Sequence, residues 1–329
     1  MKRFIVARVK ISRRQFGCTA LTIMSLPPLE ALGVQINVPS PAISDIGEGI
    51  RLHYEEKGNG TPIVFIHGSL SDYTYWQQQM EPFAANYHAI AYSRRYNFPN
   101  TNPAQSGYSA ITDADDLARL VRTLGLGKIV VIGHSYGALT ALFFAKRHPE
   151  LLGAMVLAEP PVVSLLNHLS EQRSVEGKVM FQDIQTRMVA PMKAAFAKGD
   201  REAGVATFMG YVFNDPAAWS KMSQSSRDET MRDAHEWDMV MTTGTLFPDL
   251  DPASIQSVSV PVLMFSGGKS YPFLGLIDER ISQLIPMNQR IIFPNSGHQM
   301  WLDHPGLCRG YVKAFLQENG IHSASSRVG

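Results

Sequence analysis

Apolar residues along this chain follow two rhythms. The runs "PIVFIHG", "KIVVIGHS", "LLGAMVLAEPP" and "VPVLMFSGG" have almost no polar face and suit strands covered on both sides of a parallel sheet. "IRLHYEEKG" alternates, as a half-covered strand does, while "YHAIAYS" reads as the next strand and "QRIIFPNSGH" as the last. Between them lie "DADDLARLVRTLGLG", the stretch after Ser135, "LIDERISQLI" and "GLCRGYVKAFLQENG", which space apolar residues as amphipathic helices do. Strand and helix alternate, so the pattern predicts an α/β fold with a mostly parallel sheet and helices on both faces.

From about Val163 to Phe247 the rhythm is helical only, in segments such as "KVMFQDIQTRMVAPMKAAFAKG" and "SSRDETMRDAHEWDMVM". Neither this stretch nor the chain beyond it carries a full set of elements. One sheet domain interrupted by a helical insertion is therefore the simplest division: core over 46–162 and 248–321, a helical cap over 163–247, a Pro- and Ser-containing linker over 34–45, and a small, polar, frayed tail over 322–329. Met180, Met188, Met192 and Met209 give the insertion an adaptable apolar lid or plain helix packing; their spacing fits both.

Composition narrows the function classes. The 30 Lys and Arg against 29 Asp and Glu, with 45% apolar residues, describe an ordinary globular protein, and no basic run beyond the N-terminus points to nucleic acid. Lys and Arg cluster before Phe16, and an uncharged, mostly apolar stretch extends from there to Leu29, too short for a typical spanning helix. Ser12, Arg13, Arg14 and Phe16 resemble the S-R-R-x-F twin-arginine export signal. Residues 1–33 are thus expected to be a removable export signal, leaving no stable membrane insertion and placing the protein in the periplasm or outside the cell. The alternative is a basic N-terminal arm on a cytoplasmic protein. Of the two cysteines, Cys18 would leave with the signal and Cys308 would have no partner, so neither a disulfide nor a cysteine metal site is expected.

The chemistry begins at "GHSYG". A serine hydroxyl is a poor nucleophile unless it is exposed beside a base, with donors waiting for the oxyanion. G-x-S-x-G after a β-branched strand and before a helix supplies the exposure: Gly133 and Gly137 permit a sharp turn that leaves Ser135 at its tip and aims the backbone N–H of Tyr136 at the same volume. The base is expected late in the chain, and His298, beside Gly297 just after the last strand, fits. His134 is the variable residue of the turn, His148 and His304 sit in His-Pro turns, and His53 and His88 lie inside strand patterns. A second oxyanion donor is expected from the loop after "PIVFIHG": the backbone N–H of Ser69, with His67 bracing the loop. Trp76 reads as core, and Tyr73 as a residue that could line the pocket.

Together, "PIVFIHGSLSDYTYW", "VVIGHSYGALTALFFAKRHPELL", "PVLMFSGG" and "PNSGHQMWLDHP" resemble the α/β-hydrolase family over residues 46 to about 318, with the insertion matching only in kind, as the cap the family often carries. The resemblance implies Ser135 as nucleophile of an acyl-enzyme route and His298 as its base, and it makes Arg94 and Arg95 a structural basic loop. It implies no substrate. One position departs from the pattern: the family's usual acid lies three residues after the glycine closing "FSGG", where this chain has Ser270. Some family members carry the acid earlier, after the strand that succeeds the nucleophile helix, and Glu159 of "LAEPP" stands there. Its other reading is a turn cap or an arginine partner; Asp278 is the runner-up acid.

The expectation is a serine hydrolase of a small ester, lactone or related acyl compound, with Ser135, His298 and Glu159 as the triad, the amides of Ser69 and Tyr136 holding the oxyanion, and no cofactor or metal required. The serine argues against epoxide hydrolase or dehalogenase chemistry, whose enzymes in this family use an aspartate at the turn. Carbon–carbon bond hydrolases and perhydrolase- or haloperoxidase-like enzymes use the same triad, and a non-catalytic ligand-binding protein on this scaffold is the alternative from another class. Nothing in the sequence determines the oligomeric state.

Overall fold

Over residues 41–322, which the computed structural model describes, eight strands form one sheet in the order β1-β2-β4-β3-β5-β6-β7-β8. In chain order these are β1 (Ala42–Asp45), β2 (Arg51–Lys57), β3 (Pro62–Ile66), β4 (His88–Tyr92), β5 (Ile129–His134), β6 (Leu152–Ala158), β7 (Val262–Gly267) and β8 (Asn288–Phe293). β1 and β2 pair antiparallel to each other, and β2 antiparallel to β4; every other neighbouring pair is parallel. The α/β-hydrolase fold expected from the sequence is the fold observed.

The apolar runs form the middle of the sheet because they can be buried on both faces. Every residue of β5 is buried, and alternate side chains enter opposite layers. Val64 and Val131 join a core layer with helices Ala110–Thr123 and Tyr136–Arg147, while Phe65 and Ile132 join a second layer with helices Gln77–Ala84 and Pro305–Glu318. Trp76 is fully buried in that second layer. Helix Ala110–Thr123 starts where the sequence chemistry allows: the Ser109 hydroxyl accepts from the Ile111 N–H, and the Thr112 hydroxyl accepts from the Ser109 N–H.

Between β6 and β7 the described chain is helical without a strand. Helix Ser174–Ile184 continues through one π turn, Gln185–Val189, into helix Ala190–Ala197. Pro191, which has no N–H to give the ladder, stands just past the widened turn. Helices Arg201–Val212, Gln224–Arg232 and His235–Thr242 complete the segment.

One boundary needs correction. The linker expected over 34–45 is strand in its last four residues, β1, which pairs with β2 from Ala42 opposite Tyr54 to Asp45 opposite Arg51. Four residues after Pro41 are too few to show a period, and the strand is defined by the backbone groups that the edge of β2 offers. The expected export signal over 1–33 and residues 323–329 of the expected tail lie outside the described residues. Among the described residues no helix is long and apolar enough to cross a membrane.

Candidate active site

The carboxyl ends of β3, β5, β6 and β7 and the loop after β8 meet at one place. Ser135 ends the β5 turn with φ 53° and ψ −120°, a left-handed conformation that non-glycine residues seldom adopt. Its N–H donates to the Ala158 carbonyl at 2.8 Å, and its own carbonyl accepts from Ala138 and Leu139 as the helix starts. The flanking glycines have a steric cause. A Cβ on Gly137 would lie 2.3 Å from the Ile66 carbonyl oxygen, and one on Gly133 2.6 Å from that of Gly137. Any side chain there would force β5, its helix and β3 apart.

Glu159, the first residue after β6, also has positive φ, 49°, and is wholly buried. Its Oε2 lies 2.6 Å from His298 Nδ1, and its Oε1 accepts from the Gly267 N–H at 2.7 Å. With a carboxylate on Nδ1, the imidazole carries its proton there and leaves Nε2 as the unprotonated nitrogen. Ser135 and His298 line the same cavity, and Ser135 Oγ makes no hydrogen bond with His298 in this structure. Ser69 lines that cavity as well, and Tyr136 lines a narrower pocket that also touches Ser135.

The runner-up acid is elsewhere. Asp278 is buried on helix Pro272–Leu284, where its Oδ2 accepts from the Ser266 hydroxyl at 2.5 Å, and that hydroxyl in turn accepts from Arg290 Nε at 2.9 Å. Burial, reinforced by the nearby Glu159 charge, pushes the Asp278 carboxyl well above the ordinary carboxylate range. The Ser270 hydroxyl is buried without a partner, beside the backbone of Gly267.

Several residues matter more than their sequence context suggested. His134 meets the His298 carbonyl through Nε2 at 2.8 Å, packs against the His298 ring at 4.7 Å and stacks on Tyr75 with the rings 2° from parallel. A carbonyl oxygen only accepts, so His134 Nε2 bears the proton. Burial, with the neighbouring His298, pushes the His134 pKa down to about 3, so it remains a neutral donor. Of the two tyrosines in the short 3-10 turn after β3, Tyr75 lines the cavity and Tyr73 does not, although both pack against the second core layer. Of the methionines, Met209 and Met222 line the cavity and Met188 the narrow pocket, whereas Met192 is core.

The cavity is about 430 Å³ and its lining mixes charged and apolar side chains. Its walls carry Asp72, Glu229, Arg232 and Asp233 together with Phe208, Met209, Phe213, Met222 and Leu302. Beyond Ser135 it narrows to a pocket of about 20 Å³ walled by Met188, Phe208, Val212, Leu246, Phe247 and Phe273. Among the described residues no group of three or more His, Cys, Asp or Glu is placed to hold a metal ion.

The pattern that defines the alpha/beta hydrolase fold matches residues 61–305, so the chain belongs to that family. It is 24% identical to epoxide hydrolase 3 of Mus musculus over 92% of this chain and 89% of that protein. It is 28% identical to 2-(acetamidomethylene)succinate hydrolase of Mesorhizobium japonicum over 77% of this chain and 87% of that one. Among solved structures, the enol-lactonase of Burkholderia xenovorans LB400 superposes with a TM-score of 0.64 at 17% identity, over 85% of this chain and all of the other. The relatives are named hydrolases, and this chain is an enzyme of the same broad kind.

The cavity wall contains a carboxyl whose pKa is pushed toward neutrality. Asp233 accepts from the Phe98 N–H at 2.7 Å, and burial together with the Asp72 charge pushes its carboxyl up to about 7. Between about pH 4 and 7 the folded protein therefore binds more protons at Asp233 than the unfolded chain does, and this group makes stability fall as pH rises through that window. Asp233→Asn keeps an acceptor for Phe98 and removes the titration. Its Tm is expected to gain on that of wild type from about pH 4 to pH 8; parallel Tm–pH curves would show that Asp233 ionises freely.

Proposed function

We propose that the protein is a serine hydrolase of small esters or lactones, with Ser135 as nucleophile, His298 as general base and Glu159 as the acid that orients it. The observation that carries this reading is the 2.6 Å contact between the buried Glu159 carboxylate and His298 Nδ1, beside a serine on a strained strand-to-helix turn. Ser135 Oγ attacks the acyl carbon while His298 Nε2 takes its proton; the tetrahedral oxyanion lies between the N–H groups of Ser69 and Tyr136. Collapse expels the alcohol, which receives the proton from His298, and leaves an ester on Ser135. Water, deprotonated by His298, then attacks that ester and frees the acid and the serine. Glu159 stays ionised and stabilises the imidazolium in both halves.

Similarity to an epoxide hydrolase does not transfer that substrate. A serine opening an epoxide would be left as an ether, which water does not cleave, whereas an acyl group on serine is an ester, which water does cleave. The narrow pocket, wide enough for little more than a water-sized group, fits a short apolar acyl or alcohol part, and the wider cavity, with both charged and apolar walls, fits the larger remainder. A carbon–carbon bond hydrolase or perhydrolase would use the same three side chains and differ in substrate. In this reading the helical segment after β6 is a cap over the site, and residues 1–33 direct export by the twin-arginine route.

Wild type is expected to hydrolyse p-nitrophenyl acetate and to lose rate steadily with longer acyl chains. Ser135→Ala and Glu159→Gln should each lower kcat by on the order of 10³-fold or more, with Asp278→Asn close to wild type. If Asp278→Asn falls as far as Glu159→Gln, the assignment of the acid is wrong; if wild type turns over no ester or lactone and its serine resists a fluorophosphonate probe, a ligand-binding role replaces the enzymatic one. For export, Arg13→Lys with Arg14→Lys should hold the protein in the cytoplasmic fraction, and unchanged fractionation would exclude that route.

A further inference from the structure

Arg94, in the loop after β4, is wholly buried and joins three parts of the molecule. Its Nη1 pairs with Glu236 Oε1 at 2.6 Å and Asp113 Oδ2 at 2.9 Å, and its Nη2 donates to the Gly68 carbonyl at 3.0 Å. Glu236 belongs to helix His235–Thr242 of the insertion, and its Oε2 accepts from Asn97 Nδ2 at 3.0 Å and from the Leu70 N–H at 3.4 Å. His67 closes the cluster. The Arg94 N–H donates to His67 Nε2 at 3.0 Å, so the ring proton is on Nδ1, which donates to the Gly68 carbonyl at 2.8 Å.

The Gly68 carbonyl is thus held by two donors on one side. Across a trans peptide the C=O and N–H point in opposite directions, so the Ser69 N–H points away from Arg94. On that other side is Ser135: a Cβ on Gly68 would be 3.2 Å from Ser135 Cβ, and Ser69 and Ser135 line the same cavity. The next amide, of Leu70, is turned back to Glu236, and Leu70 is held at φ 53°. Stability alone does not call for such a cluster, because buried ion groups can often be replaced by apolar ones without loss. Here the charges direct their hydrogen bonds to the backbone of one loop.

We infer that Glu236 and Arg94 are positioning residues through which the helical insertion sets the oxyanion-binding amide of Ser69. The inference rests on the serine-hydrolase reading above. With Glu236 neutral or Arg94 shortened, the Gly68–Ser69 peptide is free to rotate, and the tetrahedral state loses a donor that the bound ester hardly uses.

The test compares wild type, Glu236→Gln, Glu236→Asp and Arg94→Lys after titrating active serines with a fluorophosphonate. Per titrated site, Glu236→Gln and Arg94→Lys should lose about 10- to 100-fold in kcat with KM changed less than about 3-fold, and affinity for a boronic acid that forms a tetrahedral adduct on Ser135 should fall in parallel. Glu236→Asp, which keeps the charge, should recover part of the loss. A purely structural role would lower Tm and the titratable fraction and leave kcat per site and boronate affinity at the wild-type values, which would overturn the inference. Should the variants fail to fold, hydrogen exchange in the wild-type peptide 66–72 decides: protection of Leu70 comparable to β3 supports the clamp, and exchange at open-loop rates overturns it. Wild type that neither labels nor turns over removes the hydrolase reading and this inference with it, whereas active wild type with unchanged variants removes this inference alone.

Discussion

A carboxylate with no access to water must have its hydrogen bonds made by protein, and Glu159 shows what that requirement does to the structure around it. Ionised and isolated, it would cost several kcal/mol. Its two oxygens are met by the end of β7, through the Gly267 N–H, and by the loop after β8, through His298. Its own N–H reaches the Phe265 carbonyl on β7. One residue therefore ties the ends of two strands to the loop that bears the imidazole. The loop has little freedom of its own, since a Cβ on Gly267 would lie 2.4 Å from the Gly297 carbonyl oxygen.

Backbone strain is distributed to the same effect. Five described residues other than glycine have positive φ, and three of them, Leu70, Ser135 and Glu159, come after β3, β5 and β6, which are neighbours in the sheet. Each costs on the order of 1–3 kcal/mol and persists only where the surroundings over-determine it. Leu70 is held by Glu236, Ser135 by the Ala158 carbonyl, and Glu159 by Phe265 and Gly267. The sheet supplies rigid ends, and the strained residues turn side chains or amides from three adjacent strands into one volume.

Charge is arranged in two layers around that volume. Close to it, His134 is kept neutral by burial and donates a hydrogen bond to the His298 carbonyl, which anchors the loop without adding a charge. Farther out, the Arg94 cluster links the insertion to the loop after β3 with charged groups that are themselves fully buried. Arg95 forms a separate pair with Asp116 at 2.6 Å, so the two adjacent arginines serve different neighbours.

How much of this was legible beforehand depended on whether the signal was local. Strands buried on both faces must be continuously apolar, and the glycines of "GHSYG" are where backbones touch, so the sheet, Ser135 and the position of His298 after the last strand can be read from the chain itself. Glu159 could be named because a carboxyl group between an apolar strand and two prolines needs a partner. The choice between Glu159 and Asp278 lay in side-chain direction, which no spacing encodes: one faces His298 and the other Ser266. Tyr75 in place of Tyr73, and β1 inside an expected linker, were settled by packing and by an unpaired strand edge. Glu236 reads in sequence as one more polar residue of a helix, since its partners Arg94 and Leu70 are distant along the chain and adjacent only after folding. The sequence by itself determined the fold and the order of its strands and helices, because periodicity and steric necessity are written locally. Only the tertiary structure decided which buried charges meet, because that depends on where separate elements come to rest against one another.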